Sequence, residues 1–273
     1  MIRKQHLAGF MAIIPIMASK NSSYYDNCFG TLTSSGLMGF FHKLMHRSIE
    51  RGIKKSDFFD RILELGAGEN RHFDSVIHKF NEYHLIDIRY SLLFKSIIEK
   101  PDLFRLIESN ETKAEFQKIV QSNHDESLEG NARLYCSEGN AEKLEEFPID
   151  FFDRVFSTCL IMHLEHPEQS LKESRRVLKD NGRLDIYVHS EPGFLLRIAR
   201  YISFKGHVNR TGYDHLKFVY TEHRYSFLFL KYLIEDVFSE DEIVWRSHPF
   251  PWLSWNLSFW KVATIKITKS NYR

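Results

Sequence analysis

The sequence predicts an α/β fold with a doubly wound, mostly parallel sheet. Two observations support this prediction: short apolar runs alternate with longer segments of helical periodicity, and a glycine-rich bend follows the first of these runs. With 273 residues, of which 43% are hydrophobic, the chain is long enough to bury a large core. This apolar fraction and a charged fraction of 27% exclude disordered, collagen-like and coiled-coil classes.

The predicted elements alternate along the first two thirds of the chain. An amphipathic helix over 35–55 comes first. Buried strands are predicted at 61–65, 83–88, 152–157 and 183–188. Helical patterns are predicted at 73–80, 91–131 and 166–178. A strand, a glycine turn, a helix and a second strand form the beginning of a parallel βαβ unit.

The composition changes after residue 192, where the chain becomes aromatic and basic. A helix is predicted over 225–238, and two strands are predicted at 242–246 and 261–268. We expect these two strands to pair antiparallel at the edge of the parallel sheet.

Cysteine content and hydropathy indicate the cellular compartment in which the protein is expected. The three cysteines are too few for a disulfide framework, and no apolar run is long enough for a membrane-spanning helix, so we expect a soluble, cytoplasmic protein. Arg3 and Lys4 precede the apolar run 7–18, which has some features of a secretion signal. Pro15 interrupts this run, which favours a packed segment or a membrane-surface contact instead.

Charge is unevenly distributed around a formal net value of +1. The first 55 residues and the residues after 192 are basic, and the residues between them are acidic. This distribution argues against a general nucleic-acid binder. A basic rim suits an anionic acceptor or an acidic lipid surface, and ordinary solvated charge is the alternative reading.

The strongest motif is ELGAGEN at 64–70, which follows the first predicted strand. Glycine permits a tight turn at the end of a strand, and the free N–H groups that follow can bind a ligand. Asp87 ends the next strand about 20 residues further on, where a carboxylate can accept both hydroxyls of a ribose. These features predict a cofactor that contains adenosine.

The rest of the motif distinguishes between adenosine cofactors. A dinucleotide fingerprint has a third glycine, but Asn70 and Arg71 occupy that part of the loop. Glu64 would repel a pyrophosphate and could hold an amino group. The motif therefore favours S-adenosyl-L-methionine over NAD.

Five stretches carry a resemblance to a known family: RILELGAG (61–68), HLIDI (84–88), GNAEKL (139–144), FDRVFSTCLIMHLEHP (152–167) and SLKESRRVLKDNGRLDIYV (170–188). In these stretches the sequence resembles the class I S-adenosylmethionine-dependent methyltransferases, in their small-molecule branch. The resemblance covers about residues 60–192. It implies a Rossmann-like, seven-stranded sheet with one antiparallel edge strand, and a methyl donor that lies across the strand tips.

The resemblance also implies roles for individual residues. Glu64 would contact the methionine amino group of the cofactor, and the bend at Gly66, Ala67 and Gly68 would lie beside it. The ribose hydroxyls would bind Asp87, and the adenine would contact Ile88, Asn140 and Ala141. The backbone of Cys159 would approach the cofactor; a buried thiol without catalytic function is expected there.

The residues that act on the acceptor are predicted less directly. Methyl transfer to oxygen needs a base, and the resemblance places His163 and His189 after successive strands at the site. His163 and His166 lack a third ligand, so no metal is predicted. Candidate acceptor residues outside the core are Tyr24, Tyr25, Arg210, Tyr213, His215 and His223. A solvated surface insertion is the alternative for the last four.

The predicted organisation has four parts: an N-terminal helical lid segment (1–55), a cofactor-binding core (56–192), an acceptor-side helical insertion (193–240) and a C-terminal antiparallel strand pair (241–273). We expect a methyltransferase for a small molecule such as a sugar, a nucleotide-linked sugar or a lipid-like precursor, methylated on oxygen or nitrogen. An inactive cofactor-binding scaffold and an NAD-dependent oxidoreductase are the alternatives. The oligomeric state is not predicted.

Overall fold

A computed structural model describes residues 36–89, 92–93, 104–106, 133–205 and 215–269. The helices are α1 (Gly36–Ile49), α2 (Pro167–Val177), α3 (Phe194–Lys205), α4 (His215–Glu222) and α5 (Phe227–Val237). The strands are β1 (Phe58–Leu65), β2 (Lys79–Asp87), β3 (Phe104–Leu106), β4 (Arg133–Glu138), β5 (Phe152–Ser157), β6 (Leu178–His189), β7 (Glu242–His248) and β8 (Trp260–Lys266).

These strands form one sheet in the order β3-β4-β2-β1-β5-β6-β8-β7. The central strand β1 pairs in parallel with β2 and with β5, so the carboxyl ends of these three strands lie at the same edge. β8 runs antiparallel to both β6 and β7. The predicted α/β class and mostly parallel sheet are confirmed.

Two details of the sheet differ from the expectation. The short strand β3 adds an eighth strand beyond β4. The antiparallel strand β8 lies one place in from the edge, because it enters between β6 and β7, and β7 occupies the edge itself.

The two faces of the sheet have different coverings. On one face, α2 packs its buried Leu171 and Val177 into the core, and α5 contacts α2 with its own buried Phe227, Leu230 and Ile234. On the other face, the end of α1 lies over β5 and β6. The helix α5 therefore contributes to the core, and the predicted division of the chain at 193–240 stays a prediction.

A buried ionic cluster lies beneath the end of α1. The guanidinium of Arg154 is fully buried and lies 2.8 Å from Glu50 and 3.2 Å from Asp185. His78 lies 2.8 Å from Arg154 through its Nε2. Burial alone would raise the pKa of Glu50, but Arg154 and His72 outweigh burial and lower this pKa to about 2. The cluster fixes α1 on the sheet by charge as well as by packing.

Two predicted helical segments differ in the structure. Residues 73–80 form a single 3₁₀ turn (Phe73–Ser75) and then join β2, which pairs with β1 from Lys79 onward. Of the segment 91–131, residues 104–106 are a strand, and most of the rest lies outside the described residues. The predicted helices at 35–55, 166–178 and 225–238 are present as α1, α2 and α5.

Candidate functional site

The bend that follows β1 is hydrogen-bonded to the carboxyl end of the neighbouring strand β2. Gly66 and Gly68 have φ angles of 66° and 54°, a left-handed conformation that glycine adopts without strain. The N–H of Ala67 donates to the carbonyl of Ile86 at 3.0 Å. The N–H of Gly68 donates to Oδ2 of Asp87 at 2.9 Å. The bend and the acid that the sequence singled out are therefore in direct contact.

The two glycines have different surroundings. A Cβ built on Gly66 would lie 2.8 Å from the side chain of Leu160, which comes from the loop after β5. A Cβ built on Gly68 would meet no atom within 4 Å. The backbone at Gly68 is thus open to a ligand, whereas Gly66 is needed for close packing.

Asp87 and Ile88 end β2 with contrasting properties. Asp87 is buried, and its Oδ1 accepts from the N–H of Arg89 at 2.8 Å while its Oδ2 accepts from Gly68. Ile88 is 66% exposed, although it is a large apolar residue at a strand tip. An oriented carboxylate beside an exposed apolar side chain suits a ribose and its attached base.

Glu64 is fully buried on β1, below the bend. Its Oε2 accepts a hydrogen bond from the hydroxyl of Tyr83 at 2.6 Å, and its Oε1 has no partner among the described residues. Burial raises the pKa of Glu64 to about 7, against the opposing effects of His72 and Tyr83. The predicted contact with an amino group would have to be made at Oε1, and it stays a prediction.

The residues that follow β4 and β5 complete this edge. Oδ1 of Asn140 accepts from the N–H of Glu142 at 2.9 Å, and Ala141 is buried in the core. Cys159 has a φ of 52° after β5. Burial raises its pKa to about 12, so the thiol stays protonated at neutral pH. Contacts of these residues with adenine or with the methyl donor stay predictions.

Three histidines from separate parts of the chain meet beyond β5 and β6. His163 ends a 3₁₀ turn (Ile161–His163), His189 ends β6, and His223 directly follows α4. The ring of His223 stacks on that of His189 at 5.0 Å and meets that of His163 edge-on at 4.9 Å. We call these three residues the histidine cluster. Within the described residues, no group of histidines, cysteines and acids has an arrangement that could hold a metal ion.

Polar residues around the histidine cluster connect it to the core. The hydroxyl of Tyr187 lies 3.0 Å from Nδ1 of His189. Nδ1 of His223 lies 2.6 Å from Oε2 of Glu191, and Glu191 also pairs with Arg200 of α3. Burial, assisted by nearby cations and rings, lowers the pKa of His163 and of His223 to about 3, so both are neutral at pH 7.

Sequence reasoning missed Glu191, Arg200 and Tyr187. Glu191 lies two residues after His189, just past the carboxyl end of a strand, and this position was an available signal. Arg200 and Tyr187 carried no signal, because nothing in the local pattern shows that they face the histidines. Of the predicted acceptor residues, the structure brings His223 into the histidine cluster. Tyr24, Tyr25, Arg210 and Tyr213 lie outside the described residues, as does the side chain of His215.

The part of the chain that carries this site matches a known protein family. Residues 63–186 match the family described as "Methyltransferase domain". This segment spans β1 to β6 and contains both the glycine bend and Asp87. These residues form a methyltransferase domain.

A curated relative of this methyltransferase domain is the ubiquinone/menaquinone biosynthesis C-methyltransferase UbiE of Ectopseudomonas mendocina (strain ymp). It is 29% identical over 167 residues, which cover 59% of this chain and 54% of the relative. The chain thus spans about half the length of the curated relative it matches.

Solved structures share the fold of the methyltransferase domain. A candidate S-adenosyl-L-methionine-dependent methyltransferase of Methanococcus maripaludis has a TM-score of 0.52 at 14% identity, over 88% of this chain and 91% of its own. A chain from the complex of the Haloferax volcanii Trm112 methyltransferase activator with its candidate methyltransferase has a TM-score of 0.51 at 12% identity, over 86% of this chain and 94% of its own. At such low identity these likenesses concern the fold alone.

Proposed function

We propose that this chain transfers a methyl group from S-adenosyl-L-methionine to a small-molecule acceptor. One observation carries the proposal: the glycine bend and Asp87 are hydrogen-bonded to each other at the carboxyl edge of the sheet, within a methyltransferase domain. Beyond the neighbouring strands β5 and β6, the histidine cluster supplies groups that can accept a proton.

The residues at the edge fit the proposed cofactor. Asp87 would hold the ribose hydroxyls, and the exposed side chain of Ile88 would pack on the adenine ring. Gly68 leaves room for close approach. The unpartnered Oε1 of Glu64 would accept a hydrogen bond from the amino group, directly or through a water molecule. Asn140, Ala141 and the backbone of Cys159 complete the proposed set.

The bound cofactor would supply a methyl carbon attached to a positively charged sulfur. The chain's own residues then have to orient the acceptor, exclude water and remove a proton where the acceptor carries one. Alignment of two reactants can contribute several kcal/mol of barrier reduction. His163 and His189 are proposed to lie at the acceptor, since both belong to the histidine cluster beyond the ends of β5 and β6.

The curated relative and the exposed apolar residues of α3 both support a lipid-like acceptor. The curated relative is named for carbon methylation in quinone biosynthesis, which supports a lipid-like acceptor among those considered. Exposed apolar residues on α3, including Phe194, Tyr201 and Ile202, suit an acceptor or a lipid surface of that kind. None of the described helices is both long and apolar enough to cross a membrane.

Calorimetric titration tests the cofactor assignment. We expect binding of S-adenosyl-L-methionine and of its demethylated product, and no binding of NAD at the same concentrations. Binding of NAD alone would favour the oxidoreductase alternative. Consumption of the methyl donor with a panel of lipid-like, phenolic and sugar acceptors separates an enzyme from an inactive scaffold, which would bind the cofactor without consuming it.

A further inference from the structure

Glu191 and His223 form a hydrogen-bonded pair, and backbone hydrogen bonds hold the two segments that carry these residues. Nδ1 of His223 lies 2.6 Å from Oε2 of Glu191, and both side chains are about nine-tenths buried. The carbonyl of Glu191 accepts from the N–H of Phe227 at 2.7 Å. The N–H of Arg224 donates to the carbonyl of Met162 at 3.0 Å. The residues that directly follow His223 are therefore anchored to the segments that come after β5 and β6.

We infer that His223 is the general base of the proposed methyl transfer, that Glu191 is its positioning residue, and that the acceptor presents a hydroxyl group. This inference rests on the proposed function. It changes the assignment made from the sequence, where His163 and His189 were the candidate bases and His223 was an acceptor-binding residue.

The tautomer of His223 follows from the chemistry of its partner. A carboxylate only accepts hydrogen bonds, so Nδ1 of His223 carries the proton and Nε2 keeps its lone pair. Within the described residues, the cluster reaches a carboxylate through His223, whereas His189 contacts the hydroxyl of Tyr187. In such pairs the carboxylate orients the imidazole and stabilises the imidazolium when it forms.

Burial and the groups that face His223 keep its imidazole neutral at pH 7. Arg200 of α3 pairs with Glu191 and contributes to the low pKa of His223, after the larger effect of burial. The rings of His163 and His189 face it from the 3₁₀ turn and from β6, and the pKa of each is lowered too. A neutral imidazole with its proton on Nδ1 keeps a lone pair on Nε2 that can accept a proton, and the Glu191 carboxylate stabilises the imidazolium that forms.

The proposed step balances without any further reactant. The acceptor oxygen forms a bond to the methyl carbon, while the carbon–sulfur bond breaks and its electron pair stays on sulfur. The hydroxyl proton passes to Nε2 of His223, and Glu191 stabilises the resulting imidazolium. A neutral amine has a free lone pair and needs no such base, so the pair favours an acceptor with a hydroxyl group over an amine.

Nitrogen-15 NMR of the full chain with labelled histidine tests the pair without any acceptor. The signal of His223 is identified by its absence in His223→Gln. We expect the Nδ1–H tautomer in the wild type, and a fall in its fraction by about a factor of two or more in Glu191→Ala. The exposed Glu165 provides the control, since Glu165→Gln should leave the signal unchanged. An Nε2–H tautomer in the wild type, or no change in Glu191→Ala, would overturn the inference.

A pair of phenols separates a base from a structural clamp. Near pH 8, 4-nitrophenol is largely ionised and needs no base, whereas phenol does. We expect Glu191→Gln to lower methylation of phenol about tenfold or more and that of 4-nitrophenol far less, with Glu191→Asp restoring part of the loss. Equal losses on both phenols would show a structural role only and overturn the inference. If neither phenol is methylated, the NMR result decides.

Cofactor titration distinguishes the two proposals. Wild-type protein that binds no S-adenosyl-L-methionine would contradict the proposed function. Normal cofactor binding in the wild type and in Glu191→Ala, together with an unchanged tautomer, would contradict the role of the pair alone.

Discussion

The indole N–H of Trp260 donates a hydrogen bond to Oγ of Ser48 at 3.0 Å and joins β8 to the end of α1. Both residues are buried, and Oγ of Ser48 donates in turn to the carbonyl of Met45 at 2.6 Å. The two bonded residues are far apart in sequence. This contact helps to hold the first described helix on the sheet, next to the ionic cluster of Arg154.

Replacement of this indole should loosen the attachment of α1. We expect Trp260→Phe to lower the free energy of unfolding by about 1–2 kcal/mol, because one buried hydrogen bond is lost and a small cavity forms. Urea denaturation measures the change. Trp252 is 76% exposed, so Trp252→Phe is a matched control with an effect within about 0.5 kcal/mol. Equal effects of both variants would contradict the role of the Ser48 contact.

Removal of the Arg154 guanidinium should be much more damaging. We expect Arg154→Met to cost about 3–5 kcal/mol of stability, because Glu50 and Asp185 would lose a buried counter-ion. Lys172 forms an exposed pair with Glu168 on α2, and Lys172→Ala should cost about 0.5 kcal/mol or less. Thermal or urea unfolding compares the two. A small effect of Arg154→Met would mean that the buried carboxylates find other partners.

Stability should fall as the pH drops from 7 to 5. Burial lowers the pKa of His42, His78 and His248 from 6.5 to about 4, so the unfolded chain binds more protons in this range. Glu64, with its pKa raised to about 7, acts in the opposite direction but is a single group. We expect a net loss of about 2 kcal/mol or more, measured by urea unfolding at each pH. Equal stability at pH 7 and pH 5 would contradict the burial of these histidines.

The two glycines of the bend should respond differently to a methyl group. Gly66→Ala introduces a contact of 2.8 Å with Leu160 as well as an unfavourable φ, and we expect a loss of about 2 kcal/mol or more. Gly68→Ala adds only the backbone strain, about 1 kcal/mol. Unfolding measurements on both variants test this order. A larger loss for Gly68→Ala would place Leu160 elsewhere in solution.

Asp87 should control cofactor affinity. We expect Asp87→Ala to weaken binding of S-adenosyl-L-methionine about tenfold or more, which corresponds to about 1.4 kcal/mol. Asp60 lies in β1 near the opposite edge of the sheet, so Asp60→Ala is a control that should leave the affinity unchanged. Calorimetric titration measures both, after circular dichroism shows that each variant is folded. Unchanged affinity in Asp87→Ala would contradict the ribose assignment.

Those parts of the fold that depend on local pattern were predictable. The apolar run at 61–65 lies in β1, and 83–87 of the run at 83–88 lie in β2. The segment 73–80 was misassigned because Phe73, Val76 and Phe80 have helical spacing. The ladder between β1 and β2 determines the conformation instead, since Phe80 pairs with Phe59. Nothing in residues 73–80 themselves shows that pairing.

Some contacts of the candidate site could likewise be predicted from the sequence, and others could not. The bond between Gly68 and Asp87 follows from a glycine turn and an acid at adjacent strand ends, which sequence spacing can indicate. The approach of His223 to His189 depends on where α4 ends, and no periodicity specifies that position. The partner of His223 was missed for the same reason, since a glutamate after a strand has many possible uses.

The position of β8 has a consequence for how the protein is made. Among the described strands, β8 comes last in chain order, but it lies between two strands that the ribosome produces earlier. Until it emerges, β6 and β7 each present an unsatisfied backbone edge, which is a template for pairing with other nascent chains. Synthesis that stalls before residue 260 would therefore leave an aggregation-prone intermediate, and chaperone demand should be greatest just before translation of this strand is complete.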